Sequence, residues 1–317
     1  MKEVITLTEK VSKEDVERIS SLHTKWIKKF HDYLIKFIKD DKIKERMNYV
    51  FENITEYIVE VGTIIPRTRD GRDFSIPMPK LNGAYVVKDI TTKVEDGKEC
   101  GIITPAVAVL YDKLTNPADF IHELAHAFSS MMKILFENGA IYKCGLNCEV
   151  YKDTGYKQAN GDWLNEGLTD AIASLFFEEN RVEIEKDCGF VPSKYKRKLS
   201  YSASYDSYQA MKVMLCNMSN ELLVNAYLGD VEDMQKFAGD FDKVMQDECV
   251  TFKELNKIRN NDEGADKNLL DYLACKYVLS KCKTLEEKDK ALENMRKIYK
   301  FSWSESFEQK LLDSVTV

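Results

Sequence analysis

Two histidines stand four residues apart around a glutamate in the run His122-Glu123-Leu124-Ala125-His126. On an α-helix, positions i and i+4 share one face, so both imidazoles can reach a single cation. The carboxylate of Glu123, one position round, can then hold a water beside that cation. H-E-x-x-H is the spacing by which one helix presents zinc ligands for metal-assisted hydrolysis. The chain has only four histidines, and two of them are used here.

The element that must carry them reads as a helix over 117–137. Thr115 and Asn116 are cap-type residues, Pro117 suits the first helical position, and Asn138-Gly139 supplies a stop. Phe120, Ile121, Leu124, Ala125, Phe128, Met131, Met132, Leu135 and Phe136 make this stretch apolar on most sides, which predicts burial. Imidazoles and a carboxylate in such surroundings need a partner, and a metal is the natural one.

A second segment, Asn165-Glu166-Gly167-Leu168-Thr169-Asp170, lies in the run Asp162 to Glu179, which also reads as a buried helix. Glu166 and Asp170 are again one turn apart. One can be a third ligand while the other accepts the free N–H of a ligating histidine. Three protein ligands with a fourth position open to water is the catalytic arrangement rather than the closed structural one.

This pair of segments resembles the gluzincin metallopeptidases, the thermolysin-like branch of the zincins, in which H-E-x-x-H is followed on a later helix by N-E-x-x-[ST]-D. The resemblance implies one zinc per chain held by His122, His126 and Glu166, general-base and acid chemistry at Glu123, and support of the ligands by Asp170 and Asn165. Tyr156, in the loop Tyr156 to Gly161, is the carried-over candidate for holding the oxyanion. The 39 residues between His126 and Glu166 exceed the family separation, so an insertion lies between the two helices. No histidine follows His126, so the family's histidine oxyanion donor has no counterpart here. Tyr205 and Tyr208 rank next after Tyr156 for that role, with Tyr201 and Tyr227 nearby in sequence.

The elements around these segments fit an α+β, mainly α fold: a zincin-like core with a short sheet before the H-E-x-x-H helix and a helical carboxy-terminal lobe. Residues 13 to about 62 show helical periodicity, with Val16, Ile19, Leu22, Trp26, Phe30, Leu34, Phe37 and Ile38 as an apolar stripe and Ser12 with Asp15 as a capping-box variant. His23 and His31 read as surface or helix-face residues. Pro66 to Gly83 reads as a loop-rich connection. From Ala84 to Asp112 the pattern is strand-like, with a turn at Glu95-Asp96-Gly97 and an edge or bulge position at Pro105. Cys148 to Tyr156 reads as a hairpin. Helices are expected near 204–227, 231–248, 252–260, 267–282, 285–299 and 303–315. The corresponding division is 1–62 as an amino-terminal helical region, 63–181 as the catalytic core and 182–317 as the helical lobe.

Composition narrows the function classes. Hydrophobic residues at 44% and charged residues at 31% describe an ordinary globular chain. A net charge of −7 argues against nucleic acid as a partner, and the basic run Lys194 to Lys198 reads as solvated surface. The start has acidic residues early and no long apolar core, and no stretch is apolar enough to span a membrane, so a cytoplasmic protein is expected, with signal-less export left open. Eight cysteines at irregular spacing favour reduced thiols, and Cys144 with Cys148 is the only close pair.

The expectation is a zinc metallopeptidase acting on a peptide or protein substrate, more in keeping with a narrow endopeptidase. The rival is a catalytically silent zincin-like protein that binds metal or a regulatory partner. Glu123 favours the enzyme, because it adds nothing to ligation and a binding module would be free to lose it.

Overall fold

The computed structural model describes residues 3–69, 72–77, 83–95, 98–114, 116–135, 139–152, 155–158, 162–188, 205–217, 221–258, 266–300 and 302–315. Among them, helices predominate over a smaller mixed sheet, an α+β fold that is mainly α. Contacts divide the chain into two units, one of residues 1–144, 149–157 and 173–202, the other of 145–148, 158–172 and 203–317.

The first unit opens with β1 (Glu3–Thr6) and α1 (Lys13–Ile35). Ser12 caps α1 by accepting from the Asp15 N–H at 3.2 Å. Of the expected apolar stripe, Ile19, Leu22, Trp26, Phe30, Leu34 and, just past the helix, Ile38 are buried, whereas Val16 is half-buried and Phe37 is exposed. After α2 (Asp41–Asn53), the expected helicity gives way to a strand, β2 (Thr55–Val59), buried along its whole length. Thr55, Tyr57, Ile58 and Val59 are β-branched or aromatic, and pairing on both sides with parallel neighbours suits such a run better than one more turn of helix.

Where Pro66 to Gly83 reads as a loop-rich connection, the structure instead has two antiparallel strands, β3 (Ile64–Arg69) and β4 (Arg72–Pro77). β5 (Gly83–Glu95) and β6 (Lys98–Leu110) pair antiparallel along almost their full length. The other edge of β6 is shared. β2 pairs parallel with Ala106–Leu110, and β7 meets Cys100 and Gly101. Pro105 sits opposite Val87, where the β5 register slips between Val87 and Asp89, which is the bulge its missing N–H predicts. The sheet runs β1-β2-β6-β7-β8-β9-β10, with β5 on β6. Tyr57, Val59, Val86, Ala106, Ala108 and Leu110 form a core with Ile65.

The helix expected over 117–137 is shorter. α3 spans Pro117–Ser129, and β7 (Ser130–Leu135) follows without a loop. The Ser129 hydroxyl donates to His126 O at 3.0 Å and the Ser130 hydroxyl to Ala127 O at 2.9 Å, so side chains take up carbonyls that another turn would have used. Residues 130–135 instead pair with β8 (Gly139–Cys144), from Ser130 opposite Cys144 to Leu135 opposite Gly139. An apolar run such as Met131 to Leu135 satisfies either periodicity, and the ladder decides between them. β9 (Asn147–Lys152) and β10 (Gly155–Gln158) are neighbours in the sheet, as the hairpin reading has it. Thr115, Phe136, Asn138, Lys194 to Lys198 and Tyr201 lie outside the described residues.

The second glutamate is carried on α4 (Trp163–Cys188), three turns longer than its apolar run. The extension is a charged surface helix, with Arg181 paired to Glu185 at 2.8 Å. Within the first unit its Phe176 packs edge-on against Phe30, with centroids 5.1 Å apart.

The second unit holds α5 (Tyr208–Asn217), α6 (Glu221–Leu228), α7 (Val231–Val244), α8 (Phe252–Leu255), α9 (Lys267–Lys281), α10 (Leu285–Tyr299) and α11 (Glu305–Ser314). Reciprocal capping boxes start α7 at Asp230, α8 at Thr251 and α10 at Thr284. Phe237, Phe241, Phe252 and Tyr277 form an aromatic cluster. Among the described residues, no helix is long and apolar enough to cross a membrane. Cys144, Cys148, Cys188, Cys216, Cys249, Cys275 and Cys282 are free thiols.

Candidate metal centre

α3 starts as its sequence dictates. Asn116 accepts from the Ala118 N–H at 3.2 Å, and Pro117 occupies the first turn. Phe120, Ile121, Leu124, Ala125 and Phe128 are buried, packing the helix against β5 and β6. The entry to α3 is fixed by His23, which the sequence reads as a surface or helix-face residue. His23 is fully buried, with Nδ1 2.5 Å from Glu56 Oε1 and Nε2 2.6 Å from Leu114 O. Its ring stacks on Phe120 at 4.1 Å between centroids. His23 is therefore a buried structural group, because the α1 stripe faces inward one position wider than the apolar residues alone indicate. His31 keeps its helix-face role, with Nε2 2.9 Å from Asn48 Oδ1.

With α3 so held, the Nε2 atoms of His122 and His126 stand 3.1 Å apart and the rings meet edge-on at 4.8 Å. Two imidazole nitrogens at this separation suit one cation at the usual metal–nitrogen bond lengths of about 2.0–2.1 Å. The ligand atoms of His122, His126 and Glu166 all lie within 4.8 Å of one another. These three residues can hold a metal ion, and two nitrogens with one carboxylate oxygen is a donor set that zinc accepts.

Glu123 runs beneath the start of β5. A Cβ added to Gly83 would lie 3.1 Å from Glu123 Cγ and 3.6 Å from its Oε1, so this glycine leaves the space that the carboxylate stem occupies. Tyr85, two residues on, lies 6.4 Å from the His126 ring between centroids and accepts a hydrogen bond from the Tyr142 hydroxyl at 3.2 Å. Burial holds the Tyr85 hydroxyl protonated, its pKa well above the ordinary tyrosine value. Neither Gly83 nor Tyr85 carries a motif, and only the strand pairing puts them here.

On α4, Glu166 occupies the first turn and Asp170 is buried one turn on. Asn165 is engaged with the backbone: its Oδ1 accepts from the Leu146 N–H at 2.7 Å, and Asn256 Nδ2 donates to Leu146 O at 3.0 Å. The Thr169 hydroxyl donates to Asn165 O at 2.8 Å, so the Tyr227 hydroxyl, 2.7 Å away, donates to it. Tyr227 is thereby a buried support of α4. Gly167 allows Ser207 to reach Trp163 O at 2.5 Å, since a Cβ there would lie 2.2 Å from Ser207 Oγ.

Tyr156 is in β10, with its side chain outside the described residues. Tyr205 precedes α5 and its carbonyl accepts from the Tyr208 N–H at 3.1 Å. The Tyr208 hydroxyl accepts from Lys212 Nζ at 3.0 Å, one turn on.

Comparison with models of protein families, with curated proteins and with solved structures found no match to this chain. The functional reading therefore rests on the chemistry of these residues.

Proposed function

We propose that this protein is a zinc metallopeptidase of gluzincin type, a narrow endopeptidase acting on a peptide or protein substrate in the cytoplasm. The observation that carries the proposal is the convergence of His122, His126 and Glu166 within 4.8 Å, with Glu123 on the same helix as the two histidines. Zinc held by these three residues would lower the pKa of a bound water toward neutrality and polarise the carbonyl of the scissile bond.

Glu123 takes a proton from the attacking water and delivers it to the leaving amine. Its stem occupies the space that Gly83 leaves at the start of β5, which places the carboxylate for that transfer. Asp170 supports the ligands from one turn beyond Glu166. A tyrosine hydroxyl, from Tyr156, Tyr205 or Tyr208, shares the negative charge that develops on the carbonyl oxygen.

The test is hydrolysis of a mixed-sequence peptide library by the zinc-supplemented protein, with Glu123→Gln run in parallel. The reading expects cleavage products from the wild type and at least about a hundredfold less from the variant. Equal product from both would discard the enzyme and leave a metal-binding protein.

A further inference from the structure

Cys144 ends β8, directly opposite Ser130 in the β7–β8 ladder, and is buried. Its sulfur lies 3.7 Å from His126 Nδ1, 3.6 Å from His126 O and 3.9 Å from Ser129 Oγ. A thiol has one hydrogen to give and a sulfur with which to accept. The His126 carbonyl can only accept, so the S–H points to it, and the sulfur lone pairs are left for Nδ1. A neutral imidazole that carries its hydrogen on Nδ1 has a bare Nε2. Nε2 is the atom that faces His122 Nε2 at 3.1 Å.

We propose that Cys144 is a positioning residue that holds His126 in the Nδ1–H tautomer and fixes its ring plane, so that Nε2 is presented to a metal ion. The proposal rests on the metal-centre reading and adds to it the group that orients one ligand. Ligating histidines commonly give their outer N–H to a carboxylate or carbonyl, and here a thiol stands in that place. The ladder supplies the rigidity: Ser130 ends the helix that carries His126, and pairing with Ser130 holds Cys144 at a fixed height beside the last turn.

Two measurements test this on full-length protein. The first is the imidazole nitrogen spectrum of metal-free, ¹⁵N-histidine-labelled protein at a pH where the rings are neutral, which four histidines keep assignable. The second is zinc affinity by competition with a chromophoric chelator. Wild type should show His126 protonated at Nδ1 alone. Cys144→Ala should show mixed tautomers and an affinity about 10- to 100-fold lower, and Cys144→Ser, which keeps a donor and an acceptor, should recover much of both. If Cys144→Ala misfolds, the nearly isosteric Ser variant carries the comparison, and its recovery of the Nδ1–H tautomer is the expected result. An unchanged His126 tautomer and unchanged affinity in a folded Cys144→Ala protein would overturn the proposal. Absence of zinc binding by wild type would overturn the metal-centre reading instead, and the metal-free spectrum would still decide the role of Cys144.

Discussion

Glu123 and Glu166 are both glutamates on buried helices, yet the proton transfer proposed for the first and the metal ligation proposed for the second are separable tasks with separable phenotypes. Glu123→Gln should lose about 10²- to 10⁴-fold in turnover while retaining its metal, because the amide cannot take a proton but leaves all three ligands in place. Simultaneous loss of metal would instead make Glu123 part of the coordination. Gly83→Val should lower turnover as well, since even a Cβ would crowd Glu123 Cγ at 3.1 Å and branched methyl groups crowd it further. Here the readout is turnover against metal content, which should be unchanged. At this scale the histidine pair was legible in the sequence, because four-residue spacing on a helix is a local property. Gly83, Tyr85 and Cys144 were not, because what brings them to α3 is strand pairing across tens of residues, and the bare sequence records no register.

The elements show where periodicity suffices and where it fails. Capped helices with one apolar face, such as α1, α7 and α10, stand close to their expected positions. α3 stops eight residues early because Ser129 and Ser130 turn back onto its carbonyls and β8 offers a ladder to an apolar run that fits helix and strand alike. Two substitutions probe the joints between elements. Removing His23 takes away a buried hydrogen-bond partner of Glu56 and of the Leu114 carbonyl, so His23→Ala should destabilise the protein by at least about 1–3 kcal/mol in denaturant titration. A loss below 1 kcal/mol would mean that the pair holds nothing. Gly145 adopts φ +61°, and a Cβ there would lie 2.0 Å from Asn165 Oδ1 and 2.6 Å from Tyr227 Cε2. Gly145→Ala should cost at least about 1–3 kcal/mol from backbone strain alone and should free Asn165 from the Leu146 N–H. Wild-type stability in that variant would show that the turn relaxes without consequence.

For the molecule as a whole, the mainly α character was legible because most of the chain after residue 205 is amphipathic helix with explicit caps. The parallel strand β2 was not, since its partner lies some fifty residues on and its residues extend a helical stretch. The carboxy-terminal helices also set an acid limit on stability. A hydrogen bond from Lys276 holds the Glu248 carboxyl below its ordinary value of 4.5, and at Asp240 bonds from Lys281 and Tyr277 outweigh burial and hold it below 3.8. Carboxyls lowered in the folded state contribute stability that is present above the unfolded values and lost as pH falls through the folded ones. Burial raises Asp271, which acts in the opposite sense. Denaturant midpoints should therefore fall below about pH 4.5, less steeply in Glu248→Gln and more steeply in Asp271→Asn. The metal centre is tested most directly by zinc content, measured by elemental analysis of the purified protein beside Glu166→Ala and His126→Ala. One zinc per wild-type chain is expected, weakened or lost in both variants. Wild-type protein that holds no zinc after supplementation, or variants that hold it as firmly as wild type, would contradict it.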